Sequence, residues 1–233
     1  MSLLARLRRT LLPASCQLCG DDSEDALLCS PCAADLPALP TALCPRCALA
    51  RNHQGECPHC SREAPVLDAT VALFPYDFPV DRLIQALKYG HHLGIARWLG
   101  DLLAAHPALP VDAQVLAMPL HPTRLQARGF NQAQEIARPV AKKLGCRLPA
   151  DWLIRRRATA PQAQLSQAER QKNLCGAFDC QVDLTGRHLI LVDDVMTTGH
   201  TLNEAARVLK LHGARRVTAA VAARAQQRMP ESA

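Results

Sequence analysis

Residues 189–202 read LILVDDVMTTGHTL, and the change of character along this stretch decides the fold. Four aliphatic residues, Leu189 to Val192, form the kind of short apolar run that becomes a buried parallel strand. Two acids and a small hydroxylated loop follow, and from Leu202 onward apolar residues recur at helical spacing. The stretch therefore predicts a strand, a tight loop and a helix.

A loop between a strand and a helix is well suited to bind phosphate. The first N–H groups of the helix and the positive end of its dipole point at the loop, and hydroxyl groups there add further donors. The predicted phosphate-binding residues are Thr197, Thr198, Gly199, His200 and Thr201. Asp193 and Asp194 lie at the carboxyl end of the strand, where open α/β sheets bind ligands, and they suit sugar hydroxyls or a hydrated Mg²⁺.

Eight of the eleven cysteines lie in the first 60 residues, as four C-x-x-C pairs. The last two pairs repeat the first two at a shift of 28 residues, and nine residues separate the pairs of each half, which predicts two structural zinc sites. Disulfides, which need an oxidising compartment, and iron–sulfur ligation are the alternatives. Sequential pairing follows from the repeat, with an interleaved cross-brace as its alternative, and His53 and His59 are expected on the surface. The predicted ligands are Cys16, Cys19, Cys29, Cys32, Cys44, Cys47, Cys57 and Cys60.

Composition and charge narrow the class of protein. With 48% hydrophobic residues and no run of 18 apolar residues, the chain is expected to be globular and cytoplasmic, without a membrane span or signal peptide. Residues 1–64 carry six Lys/Arg against seven Asp/Glu, so the net charge of +6 belongs to the rest of the chain. Residues 120–176 hold eleven Lys/Arg against three acids, a belt that can attract a multiply anionic ligand.

The pattern of apolar runs indicates an α/β fold. Past Pro65 the composition changes from Cys-rich to Ala/Leu-rich, so two domains are predicted, residues 1–64 and 65–233. Alternating strands and helices in the second domain predict a doubly wound, mostly parallel sheet, preceded by a small double zinc ribbon. No G-x-x-x-x-G-K or G-x-G-x-x-G motif supports a nucleotide triphosphatase or a dinucleotide enzyme. Strands are predicted at 68–76, 114–119, 187–192 and 216–223, and helices at 80–88, 93–106, 131–144 and 202–212.

The strand with two acids and a threonine-rich loop resembles the 5-phosphoribosyl-1-pyrophosphate (PRPP) motif of type I phosphoribosyltransferases. Residues 119–137, PLHPTRLQARGFNQAQEIA, extend the likeness, and residues 155–178 have the length of a mobile lid. With the cysteine repeat, the chain resembles the ComF family, also called ComF/GntX, from about residue 16 to 224. His200, where a small residue is common, and Pro139, expected to kink or shorten its helix, are departures from the pattern.

The resemblance implies a role for each motif residue. Asp193 and Asp194 would be the catalytic pair that holds the ribose, and the loop from Thr197 to Thr201 would bind the 5-phosphate. Magnesium would bind together with PRPP. The residues expected around the pyrophosphate and Mg²⁺ are Lys88, His121, Arg124, Arg128, Gly129 and Asn131.

Two functions are consistent with these features. The first is a phosphoribosyltransferase that moves phosphoribose to an unidentified acceptor and, as the family implies, serves competence or the use of external DNA. The alternative is a non-catalytic module that senses PRPP or binds single-stranded DNA, although only Phe130, Trp152 and Phe178 lie near the basic belt for base stacking. The expected partners are PRPP, single-stranded DNA and competence helicase-type or DNA-processing proteins.

Overall fold

A four-stranded parallel sheet forms the centre of the computed structural model, which describes residues 15–52, 54–157 and 176–226. The strands run β1–β6–β5–β2 across the sheet, every neighbouring pair is parallel, and β3 and β4 form a separate antiparallel pair. The prediction of a mostly parallel sheet is confirmed. The strands are β1 (Ala69–Pro75), β2 (Gln114–Ala117), β3 (Leu153–Arg155), β4 (Phe178–Cys180), β5 (His188–Met196) and β6 (Arg216–Arg224).

Helices cover both faces of the sheet, as expected for a doubly wound fold. One face of the sheet packs on the last helix through residues such as Leu191 and Leu209, and the other face packs on three helices through residues such as Ile190, Leu99 and Ile136. Because both faces are buried, the central strands are almost continuously apolar. The helices are α1 (Ser30–Ala34), α2 (Pro58–Arg62), α3 (Val80–Gly90), α4 (Leu93–Ala105), α5 (Pro122–Arg128), α6 (Gln132–Lys143) and α7 (His200–Leu211).

Three local features differ from the sequence-based expectation. Strand β5 does not stop before the acids but continues to Met196, because β6 runs alongside it as far as Arg224. Helix α5 forms between His121 and Gly129, among the residues expected around the pyrophosphate, where no helix was predicted. Helix α6 is not shortened by Pro139, which packs instead against Gly100 of α4; a Cβ at Gly100 would lie 2.4 Å from the Ile136 carbonyl oxygen.

The N-terminal part consists of two similar units around the cysteine pairs. Each unit has a tight turn closed by an isolated antiparallel bridge, Ser15 with Asp22 in the first and Leu43 with Ala50 in the second, again 28 residues apart. Each also ends in a one-turn helix, α1 or α2. The repeat in the sequence is therefore a repeat in structure.

The remaining predictions concern the lid and the membrane. The segment expected to form the lid lies mostly outside the described residues, which include only its two ends, paired as β3 and β4. No helix among the described residues combines the length and apolar content that a membrane span requires.

Candidate phosphoribosyl site and zinc sites

A buried charge cluster lies where β5 approaches the N-terminus of α6 and the C-terminal turn of α3. Asp194 is only 4% exposed, and its carboxylate forms an ion pair with the Nζ of Lys88. It also accepts a hydrogen bond of 3.0 Å from Nε2 of Gln132. The ionised carboxylate is therefore compensated by the Lys88 ammonium and fixed in place by groups from two helices.

Asp193 differs from Asp194 in both exposure and protonation. Burial raises the pKa of Asp194, but the Lys88 ammonium and the Gln132 amide outweigh this and hold that pKa below its usual value. Burial and the adjacent Asp194 carboxylate instead raise the pKa of Asp193 well above its usual range. Since Asp193 is the more exposed of the two, it is the carboxyl group that an incoming ligand can reach.

Gln132 extends the cluster to a basic recess. Its Oε1 accepts a hydrogen bond of 2.5 Å from Nη1 of Arg128, whose guanidinium also lies 5.6 Å from the centre of the Tyr89 ring. The recess has a volume of about 470 Å³, and the Tyr89 side chain at its edge is 73% exposed. It is lined by Lys88, Tyr89, His91, Arg124, Ala127 and Arg128.

The remaining residues expected near the pyrophosphate shape the backbone. His121 caps α5 through its Nδ1, Pro122 begins that helix, and Gly129 ends it with a left-handed φ of 79°. Asn131 caps α6: its Oδ1 accepts from the N–H of Ala133, and its Nδ2 donates 3.0 Å to the carbonyl oxygen of Met118. Together these contacts hold the β2–α5–α6 connection beside the acids.

The predicted phosphate loop connects β5 to α7. Thr197 is exposed, Thr198 is partly buried, and no side chain caps the N-terminus of α7. Gly199 has a φ of 84°, and a Cβ there would lie 2.5 Å from the Met196 methyl group, so glycine is needed at this point. His200 is the first residue of α7, and its side chain is partly buried.

Sequence reasoning missed Gln132, Arg155 and Arg224 at or near this site, as well as Tyr89 and His91 of the recess. Gln132, described above, directly follows the asparagine of the RGFNQ segment. Arg155 is close enough to Arg124 and Asp193 for their charges to influence its pKa, which burial lowers. Arg224 is 1% exposed and underlies the predicted phosphate loop; its only signal in the sequence is a charge at the end of the apolar run VTAAVAAR.

The eight cysteines form two groups of four, paired in sequence order and not interleaved. The sulfur–sulfur distances are 3.6 Å for Cys19–Cys29, 3.7 Å for Cys44–Cys60 and 3.5 Å for Cys47–Cys57. A tetrahedral site with Zn–S bonds of about 2.3 Å has sulfur–sulfur edges of about 3.8 Å. The donor set and its spacing therefore fit zinc in both units.

The thiol electrostatics lead to the same conclusion. Burial raises the pKa of Cys16, but main-chain N–H groups at Cys19 and Cys29 outweigh it and lower that pKa to about 6. In the second unit, burial and the neighbouring Cys57 thiol raise the pKa of Cys47 to about 12. Once one thiol of such a cluster has ionised, its negative charge disfavours ionisation of the others. A bound divalent cation compensates that charge, so all four sulfurs can be thiolates.

His53 and His59 are not needed as zinc ligands, because four cysteines are available for each ion. His53 lies outside the described residues. His59, expected on the surface, is partly buried. Burial and the charge of Arg224 lower the pKa of His59, and His200 contributes in the same direction, so the second unit lies close to the phosphate loop.

Comparison with known proteins is consistent with both parts of the structure. Residues 7–61 match the double zinc ribbon domain, and residues 131–233 match the phosphoribosyl transferase domain. The chain is 34% identical to the DNA utilization protein YhgH of Salmonella typhi, over 80% of this chain and 86% of that protein. It is 31% identical to competence protein F of Haemophilus influenzae, over 80% and 85%, and 25% identical to competence protein ComFC of Bacillus subtilis, over 79% and 78%.

Proposed function

Because this chain belongs to the family of the DNA utilization protein YhgH and competence protein F, we propose that it binds PRPP with Mg²⁺ and transfers phosphoribose to an acceptor in DNA utilization. The observation that carries the proposal is the position of the Asp193–Asp194 pair, between an uncapped helix N-terminus and a recess lined by basic side chains. PRPP has a phosphate at one end of its ribose and a pyrophosphate at the other. The helix N-terminus would bind the phosphate, the acids the ribose and the basic recess the pyrophosphate.

The two acids would have different tasks in this reaction. Asp194, held by Lys88 and Gln132, keeps its charge and would stabilise the positive charge that develops on the ribose as pyrophosphate leaves. Asp193, more exposed, would accept hydrogen bonds from the ribose hydroxyls. Unequal environments for neighbouring carboxyl groups are a common way to separate such roles.

The basic side chains would bind the leaving group. Arg124 and Arg128 line the recess beside the acids, and Arg155 is close enough to Arg124 and Asp193 to sense their charges. Magnesium suits carboxylate and phosphate oxygens, so Asp193 is the described group that fits it once its proton is released, and the ion would neutralise part of the pyrophosphate charge. The protein's own contribution is to orient the sugar and stabilise charge on both sides of the bond that breaks.

The decisive test is binding of Mg²⁺-PRPP by titration calorimetry to the parent protein and to the double variant Asp193→Asn, Asp194→Asn. Loss of the Asp193 contact with the ribose, together with loss of the Asp194 charge, should weaken binding by about 100-fold or more. Asp101→Asn, an exposed acid on α4, is the control of the same chemistry and should bind as the parent does. Equal binding by the double variant would refute the site, and pyrophosphate release with a panel of acceptors then tests for transfer.

Single-stranded DNA binding is a second candidate, favoured by the exposed Tyr89 ring with Arg128 stacked on it and Arg124 close by. Such a combination of aromatic surface and positive charge binds unpaired bases and their phosphates. Binding of an oligonucleotide should weaken steeply with salt, and Tyr89→Ala should weaken it by about tenfold, whereas Tyr89→Trp should not. Binding that depends on neither salt nor Tyr89 would eliminate this function.

A further inference from the structure

Arg224, at the end of β6, is a buried charge whose hydrogen bonds join two distant parts of the chain. Its Nε donates 2.7 Å to the carbonyl oxygen of Cys47 in the second cysteine unit. Its Nη1 donates to the carbonyl oxygens of Met196, at 2.9 Å, and of Thr197, where the phosphate loop begins. One guanidinium therefore spans a proposed zinc ligand and the proposed phosphate loop.

These acceptors explain the position of Arg224 but not its charge. Four of its hydrogen-bond acceptors are main-chain carbonyls, including that of Ala225 at 2.9 Å, and the side chain of Cys47 is a further partner. Carbonyl dipoles alone are poor compensation for a buried cation, which normally has an anion nearby. The sulfurs of Cys47, Cys57 and Cys60 interact electrostatically with Arg224, and they become negative when they ionise to thiolates. A zinc ion with four thiolates has two net negative charges, so the loaded site supplies the missing anion.

Further hydrogen bonds attach the same turn of the second unit to the sheet. Oγ1 of Thr70 in β1 donates 2.6 Å to the carbonyl oxygen of Arg46, and the N–H of Thr70 donates 2.8 Å to that of Pro45. The side-chain amide of Gln226 donates 3.0 Å to the carbonyl oxygen of Ala48 and accepts 3.3 Å from the N–H of Ala50. Residues 45–50 are thus attached both to the start of β1 and to the end of β6.

We propose that the second zinc site, through the positioning residue Arg224, holds the phosphate loop in its binding conformation, so that zinc at this site and not at the first supports binding of a sugar phosphate. Bound by Cys44, Cys47, Cys57 and Cys60, zinc would order the Cys44–Cys47 turn and compensate the guanidinium, which in turn holds the carbonyls of Met196 and Thr197. The N–H groups that follow them are then aimed at the ligand. The ligand part of this inference rests on the proposed function.

Cys32 and Cys60 make a matched pair for the test, because they are equivalent ligands 28 residues apart and are similarly exposed. Each Cys→Ser variant of the full chain should lose one zinc by metal analysis. Cys60→Ser should weaken Mg²⁺-PRPP binding about tenfold or more, while Cys32→Ser should stay within about twofold of the parent. Equal weakening by both variants, or none by Cys60→Ser, would overturn the proposal.

Hydrogen exchange of the peptide covering residues 193–204 gives a readout without any ligand. Cys60→Ser and Arg224→Gln should each raise exchange in this peptide, and Cys32→Ser should leave it unchanged. If the parent failed to bind PRPP but showed this pattern, the proposed function would be refuted and the coupling would remain.

If Cys60→Ser failed to fold, Arg224→Lys would replace it as the test. A lysine ammonium cannot reach the carbonyl oxygens of the second unit and those of the phosphate loop at the same time. Exchange in the peptide should therefore increase although both zinc ions are retained. Parent-like exchange in Arg224→Lys and Arg224→Gln would refute the coupling.

Discussion

The two cysteine units share one pattern of ligands but are attached to the rest of the molecule in different ways. The first unit packs by apolar contact: Leu28 is buried in the same cluster as residues of α3 and α4, and Leu27 lies beside Gly94. The second unit is attached by hydrogen bonds to β1 and β6 through Thr70, Arg224 and Gln226. Equal metal sites can therefore have unequal consequences for the sheet.

The residues between the ligands explain this difference. At the shift of 28, Leu27 and Leu28 correspond to Gly55 and Glu56, both exposed, whereas Asp21 corresponds to the buried Leu49. The first unit therefore buries the end of its inter-pair segment, and the second buries the turn that follows its first pair. After duplication, the ligands kept the spacing that zinc demands, while the apolar positions came to match different surfaces.

Removal of both zinc ions should have the largest effect on stability. It also distinguishes the apolar attachment of the first unit from the hydrogen-bonded attachment of the second. Structural zinc contributes on the order of 10–16 kcal/mol of apparent binding free energy per site, so a strong chelator should unfold both units. Loss of the first zinc should expose apolar surface on α3 and α4, and loss of the second should also loosen β6 and the phosphate loop. Hydrogen exchange during stepwise chelation, with zinc release followed by a colorimetric indicator, measures both. Unchanged exchange at residues 216–226 after complete removal would contradict the comparison.

Arg224→Met should produce the next largest effect. The substitution keeps much of the side-chain volume but removes all of the hydrogen bonds that the guanidinium donates, including the buried one to the Cys47 carbonyl oxygen, which should cost about 3–5 kcal/mol of the free energy of unfolding. Arg216→Met, at the exposed first position of the same strand, should change stability by less than about 0.5 kcal/mol. Urea denaturation of the zinc-loaded proteins gives both values. A loss below about 1 kcal/mol in Arg224→Met would show that these contacts do not hold the second unit.

The sequence predicted most of this architecture because its signals are local. Continuous apolar runs identified the strands of the parallel sheet, and a repeat of ligand spacing identified both metal sites and their sequential pairing. The contacts of Arg224 could not be predicted, since they join residues 47, 196 and 224, and no local pattern encodes such a distant meeting. Gln132 and Lys88 illustrate the same limit: each belonged to a recognised segment, but their convergence on Asp194 depends on how α3 and α6 pack on β5.

Thr70→Val tests a single hydrogen bond between the second unit and the sheet. Valine has nearly the shape of threonine, and the change removes the Oγ1 that donates to the Arg46 carbonyl oxygen, which should cost about 1–2 kcal/mol. The cost depends on the second unit being folded. After chelation of both zinc ions, the difference in unfolding free energy between parent and variant should therefore fall to a few tenths of a kcal/mol. The same difference before and after chelation would mean that Thr70 acts within the sheet alone.

Gly20 and Ala48, equivalent residues in the two turns, provide the finest test. Both have a left-handed backbone, with φ of 83° and 54°, but only glycine adopts it without steric cost. A Cβ at Gly20 would meet nothing within 4 Å, so Gly20→Ala should cost about 1 kcal/mol in the first unit with no compensating contact. The Ala48 methyl is buried in the core against the sheet, so its removal in Ala48→Gly should cost about 0.8 kcal/mol. Relief of the backbone strain should offset this cost and leave the stability nearly unchanged. Thermal denaturation of both zinc-loaded variants compares them directly, and a clear gain in stability in Ala48→Gly would mean that the second turn gains nothing from its contact with the sheet.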